Sequence, residues 1–171
     1  LQKRKCINAV VEADGKFQKS KTGALMVFEM QTKLGDIIDT GTIVNAEPSV
    51  PIIGNIFWNK APLHDGAMVI RDGMIYAAGC ILPLTKSDKV SIDLGTRHRA
   101  AIGMSENSDA IVVVVSEETG QISIAVNGVL TRNYTRETLQ SALEALLLPE
   151  ENANGEKRAS RIPSIRRGRK S

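Results

Sequence analysis

The chain has 171 residues, 42% hydrophobic and 24% charged, which suits a soluble globular domain with its own core and excludes a disordered chain. The net charge of +3 belongs to one end. The stretch from Lys157 onward holds seven Lys or Arg and no acid, and setting those aside from the 22 basic residues leaves 15 against 19 acidic ones. That acidic body argues against a nucleic-acid-binding fold. Two distant cysteines, Cys6 and Cys80, without a His at ligand spacing, argue against a zinc site, and no apolar run reaches the ~18 residues that cross a bilayer.

Residues 1–21 read as a helix with Ile7, Val10, Val11 and Phe17 on one stripe, although Asp14-Gly15 interrupts it. Residues 24–29 read as a short buried strand, and 32–41 carry mixed turn and helix signals. Residues 49–59 read as a helix capped by Ser49, with Pro51 in its first turn and Ile52, Ile53, Ile56 and Phe57 as its apolar face. Residues 67–71 and 74–82 flank Asp72-Gly73, and residues 121–126 and 129–131 flank Asn127-Gly128; both pairs predict hairpins. A helix is expected over 97–107 after Gly95-Thr96, and residues 110–115 form a strand apolar on both faces, which requires cover from both sides. Residues 135–148 read as a helix capped by Thr135, with Leu139, Leu143, Leu146 and Leu147 in its stripe. From Pro149 onward the composition predicts a disordered basic tail. The expected fold class is α/β: one domain, residues 22–148, with a central mixed sheet covered by helices on both faces. Leu1 in place of Met is expected to mark a fragment or a processed product.

Three polar clusters stand out. His64-Asp65-Gly66-Ala67 leads into a buried strand, Gly95-Thr96-Arg97-His98-Arg99 opens a helix, and Ser116-Glu117-Glu118 ends the most hydrophobic strand. Strand ends and helix starts of α/β sheets are where ligands usually bind. A helix start offers unpaired N–H groups and partial positive charge; with a glycine, a hydroxyl and two forked guanidiniums it can cradle phosphates without a Walker loop, or it can be a cap with surface arginines. His64 and Asp65 can hold a cation, Asp65 can engage a sugar hydroxyl, and Asp65-Gly66 can equally be a plain turn. Ser116-Glu117-Glu118 can complete a metal and phosphate site or form a solvated turn.

Pro62-Leu63-His64-Asp65-Gly66-Ala67 followed by Gly95-Thr96-Arg97-His98-Arg99-Ala100-Ala101 resembles the paired Asp-Gly-Ala and Arg-His-Arg motifs of diadenylate cyclases. Leu82-Pro83-Leu84 and Val115-Ser116-Glu117-Glu118-Thr119-Gly120 also resemble that family, and the likeness runs from about Ala9 to Leu148. The resemblance implies an enzyme that condenses two ATP into cyclic di-AMP and two pyrophosphates with Mg²⁺ or Mn²⁺, or Co²⁺. It implies a homodimer of facing sites, in which each ribose 3′-hydroxyl attacks the other nucleotide's α-phosphorus. It assigns catalysis to Asp65, Arg97 and Arg99, and ATP binding to Val44, Gly66, Ala67, Leu82, Gly95, Thr96, Arg97, His98, Arg99, Ser116 and Glu117. The metal falls to His64, Asp65 and Glu118, with Glu118 able to act from the opposing protomer.

Members of the membrane-anchored class often carry an aromatic residue just before the Leu-Pro-Leu; here that position is Ile81. Residues 1–21 resemble the linker helix of that class, which implies an N-terminal membrane anchor ahead of Leu1 and a place on the cytoplasmic side of a bacterial plasma membrane. No nucleic-acid partner is expected. The alternative is a sensor that binds ATP or a cyclic dinucleotide without turnover.

Overall fold

The computed structural model describes residues 1–87, 90 and 94–149; the expected basic tail lies outside them, apart from Pro149. In chain order the elements are α1 (Gln2–Ser20), β1 (Ala24–Phe28), α2 (Gly35–Ile38), β2 (Thr42–Ala46), α3 (Val50–Ile56), β3 (Ala67–Arg71), β4 (Met74–Cys80), α4 (Thr96–Glu106), β5 (Ile111–Val115), β6 (Ile122–Val126), β7 (Val129–Tyr134) and α5 (Arg136–Leu147). The strands form one seven-stranded sheet in the order β2-β4-β3-β1-β5-β6-β7. Only the central pair, β1 and β3, runs parallel, and every other neighbouring pair is antiparallel.

Strand alternation divides the core between two layers. Met26, Met68, Val113, Val115, Ile122 and Ile124 face α1, α3 and α5, where Ile7, Val10, Ile53, Phe57, Leu139 and Leu143 complete one cluster. Leu25, Val27, Val69, Val112, Val114 and Ala125 face the other way, against Ala100, Ala101 and Met104 of α4 and Ile38 of α2. The all-apolar strand β5 is buried at every position, as a strand covered on both faces must be.

Several local signals act as the residue types require. Ser49 accepts from the Ile52 N–H at 3.2 Å, and Thr135 forms a reciprocal capping box with Thr138. Asp72-Gly73 and Asn127-Gly128 take positive φ (52° and 77°, 51° and 80°), the conformation of a two-residue hairpin turn. Helix α1 is packed into the core rather than standing off from it: Ile7 and Val10 are fully buried, and Phe17 meets Phe57 edge-on at 5.9 Å. Two elements depart from the sequence expectation. The mixed stretch 32–41 holds only the single turn of α2, and an unexpected edge strand, β2, follows it with its register shifted between Ile43 and Ala46, where Asn45 adopts φ 49°. Among the described residues, no helix is long and apolar enough to cross a membrane.

Candidate functional site

Sheet register brings the first and third polar clusters out at one edge. Met26 pairs with Met68 in the parallel ladder, so the residues just ahead of β1, Thr22 and Gly23, lie level with those just ahead of β3, His64 and Asp65. Ala24 pairs with Val115 on the other side, which brings Ser116 out at the same edge. Ala67 pairs with Cys80, so β4 also ends there. The edge is therefore the amino end of the parallel pair and the carboxyl end of its antiparallel neighbours.

The second and third clusters line a single cavity of about 240 Å³, formed by Leu94, Gly95, Thr96, Arg97, His98, Ser116, Glu117, Glu118, Thr119 and Arg132. Gly95 is the N-cap of α4 and makes no side-chain cap, so the first N–H groups of this 11-residue helix have no partner within it. The Ser116 hydroxyl accepts from the N–H groups of Glu118 and Thr119, both at 3.2 Å, which shapes the loop and leaves its own proton to donate. Arg97 Nη1 lies 3.4 Å from Glu117 Oε1, its Nε is buried without a hydrogen-bond partner, and its guanidinium rests over Gly23. His98 is buried, and burial pushes its pKa below the ordinary value; the charges of Arg132 and Arg97 push the same way, against the opposing effect of Glu118.

His64 and Asp65 stand at the neighbouring strand start rather than in that cavity's lining. His64 Nδ1 is 2.7 Å from the Ala61 carbonyl, which can only accept, so Nδ1 carries a proton. Nε2 lies 3.1 Å from Asp65 Oδ1. That separation is a hydrogen-bond distance and equally that of adjacent ligands around a hard cation with bonds of ~2.1 Å. The pair thus fits a divalent metal. Among the described residues no group of three or more His, Cys, Asp or Glu gathers, so Glu118 does not join the pair within one protomer.

The remaining candidates divide by layer. Arg99 is two positions from Arg97 on the helix, is absent from the cavity lining, and gives its carbonyl to the Thr85 N–H at 3.0 Å. Gly66 is pressed against β4: a Cβ there would lie 2.3 Å from the Gly79 carbonyl carbon. Ala67 is fully buried. Leu82 is buried in the α4 layer, and Val44 packs against the opposite layer. Ile81, by contrast, is 68% exposed, with its N–H donated to Thr40 Oγ1 at 2.8 Å.

Residues 11–130 match the DAC family, described as DisA bacterial checkpoint controller nucleotide-binding. The chain belongs to that family. It is similar to the cyclic di-AMP synthase CdaA of Bacillus subtilis, 46% identical over 142 residues, 83% of this chain and 52% of that protein. It is also similar to the diadenylate cyclase CdaS of Bacillus thuringiensis, 54% identical over 110 residues, 64% of this chain and 55% of that protein. The chain thus spans about half the length of these curated relatives. Among solved structures, a double-cysteine variant of DacA from Staphylococcus aureus superposes with a TM-score of 0.80 at 46% identity, covering 82% of this chain and 93% of that one. A protein described as a hypothetical membrane spanning protein from Bacillus cereus superposes with a TM-score of 0.72 at 47% identity, covering 74% and 62%.

One charged side chain in the cavity of this DAC domain escaped the sequence reading. Arg132 comes from β7, reaches Gln121 Oε1 at 3.4 Å, and adds a second guanidinium to the cavity. A single arginine in an edge strand has no local signature; only the pairing of β7 with β6 delivers it there.

Proposed function

We propose that this domain is a diadenylate cyclase, joining two ATP into cyclic di-AMP with release of two pyrophosphates. The observation that carries this reading is the cavity in which the start of α4 meets the end of β5, beside the strand start that bears Asp65. The names of the relatives support it.

The triphosphate lies across the start of α4. The N–H groups after Gly95, the Thr96 hydroxyl and the fork of Arg97 bind its oxygens, with Ser116 donating from the opposite wall. Arg132 extends the positive wall. His98, held neutral, donates one hydrogen bond without adding charge. Glu117 pairs with Arg97 until phosphate arrives. The ribose points toward Asp65, whose side chain is 86% exposed and so open to a facing protomer. The base lies beside the end of β4, against backbone near Leu82 and aliphatic surface that includes Ile81.

In the facing arrangement, each 3′-oxygen forms a bond to the other nucleotide's α-phosphorus as the bond to the bridging oxygen breaks and pyrophosphate leaves. Asp65 receives or orients the hydroxyl proton. Phosphoryl transfer of this kind needs alignment and charge neutralisation more than covalent chemistry. A divalent cation, Mg²⁺, Mn²⁺ or Co²⁺, held by His64 and Asp65 with phosphate and water, would supply neutralisation of the phosphate charge. Arg99, which does not line the cavity of its own protomer, acts across the dimer. In the longer protein we place the domain at the cytoplasmic face of a bacterial plasma membrane, which the description of the Bacillus cereus relative supports.

The test is turnover. Incubation with ATP and each of Mg²⁺, Mn²⁺ and Co²⁺ yields cyclic di-AMP, at a rate per protomer that rises with protein concentration. ATP binding without product under all three metals would make the domain a sensor instead.

A further inference from the structure

Gly23 does not owe its place to backbone conformation. Its φ lies outside the left-handed region, so any residue could adopt it. What a side chain would meet first is Arg97: an ideal Cβ would lie 2.7 Å from both its Cζ and Nη1 and 3.1 Å from its Nε, the three nearest atoms. At the same time the Arg97 Nε is buried with no hydrogen-bond partner, and the side chain is only 19% exposed. Among the described residues its ion pair is the 3.4 Å contact with Glu117, and the guanidinium lies against the Gly23 backbone.

We propose that Gly23 is a positioning residue for the reaction: its bare backbone is the seat that sets where the Arg97 fork meets phosphate. The inference rests on the assignment of Arg97 to the triphosphate. Register puts this seat between the Asp65 strand start and the Ser116 strand end, so a shift of the guanidinium displaces it relative to both. A fork that must match phosphate oxygens bidentately tolerates little displacement, and a misplacement of ~1 Å can cost as much as ~10²-fold in rate. Because the clash would fall on the end of a flexible side chain, Arg97 can move aside, and Gly23→Ala strikes function while sparing the fold.

The experiment uses this chain with ATP and Mn²⁺. Gly23→Ala is expected to keep its thermal midpoint within about 3 °C of the parent, to weaken ATP binding by about tenfold, and to shift the Arg97 Nε–H resonance, identified by its loss in Arg97→Lys. In an Arg97→Lys background, where the planar fork is gone, Gly23→Ala should add no further loss. An unmoved Arg97 resonance in Gly23→Ala overturns the proposal. So does an equal loss of binding in both backgrounds, or failure of the double variant to fold, since Gly23 would then be needed for something other than Arg97. A moved resonance with ATP binding and turnover unchanged also overturns it, and locates the error in the phosphate assignment rather than in the packing.

Discussion

Nε2 of His64 stands 3.1 Å from Oδ1 of Asp65, while the far side of the same ring is tied to the Ala61 carbonyl at 2.7 Å. The imidazole is aimed by its own loop, and the carboxylate beside it is left open to whatever approaches. Asp65→Asn keeps the shape and removes the negative charge. Cyclic di-AMP formation should fall by at least about 10²-fold, with the thermal midpoint unchanged because the side chain is 86% exposed. Chromatography of the products and calorimetry check the two halves. Normal product formation would remove Asp65 from the attacking side.

Arg132 and His98 share the cavity between the start of α4 and the end of β5. Truncating the arginine relieves one of the positive charges that hold the imidazole pKa down. In Arg132→Ala the His98 titration followed by NMR should move up toward 6.5, and ATP binding should weaken by about tenfold. The sign of the stability effect follows from the same shift. Below pH 6.5 the unfolded chain takes a proton that the folded one refuses, so stability drops as pH falls from 6.5 toward the lower folded value. His98→Gln should lack that component of the drop in urea denaturation at pH 5 and pH 7. Identical slopes in parent and variant would contradict it.

Asp14 sits within α1 at 0% exposure, with neither carboxylate oxygen hydrogen-bonded, and burial pushes its pKa well above the ordinary value. Here the sign is opposite. The folded state keeps a proton that the unfolded chain releases above about pH 4, so this group lowers stability progressively as pH rises. Asp14→Ala should be more stable than the parent at pH 8, with the gain shrinking toward pH 5. A constant difference between the two pH values would show that Asp14 does not titrate in this way.

Gly103 lets α4 touch the segment that follows β4. A Cβ there would lie 2.0 Å from the Pro83 carbonyl oxygen and 2.7 Å from the Thr85 nitrogen, atoms of backbone that cannot swing aside. Gly103→Ala should therefore cost about 1–3 kcal/mol of stability, read from the urea midpoint, despite the better helix propensity of alanine. A stabilised variant would mean the helix can slide outward freely.

Much of this architecture was legible because the signals were local. The Asp-Gly and Asn-Gly turns need positive φ, which few other residues accept. The unbroken apolar run of β5 could only be a strand covered twice, and Ser49 and Thr135 announced their helices by capping them. Strand β2 was hidden because it is a half-exposed edge whose bulge at Asn45 breaks the alternation that marks a strand. The three polar clusters were visible as clusters, but the emergence of the first and third at one edge depends on a register that pairs Ala24 with Val115 and Met26 with Met68. Arg132 and Gly23 had no signal of their own, since each matters only through a neighbour remote in the chain. Val44 and Leu82, both expected at the adenine side, pack against opposite layers of the core, a division that their place in the chain does not announce.

The contact at Gly103 has a further consequence. The segment leaving β4 and the helix opening at Gly95 are packed directly together, joined also by the Thr85–Arg99 hydrogen bond at 3.0 Å. If one end of that packed pair receives a base and the other a phosphate chain, the span between them is set like the jaws of a caliper. Molecules would then be sorted by length as well as by chemistry, and a nucleotide short of its outer phosphates would be held at one jaw only.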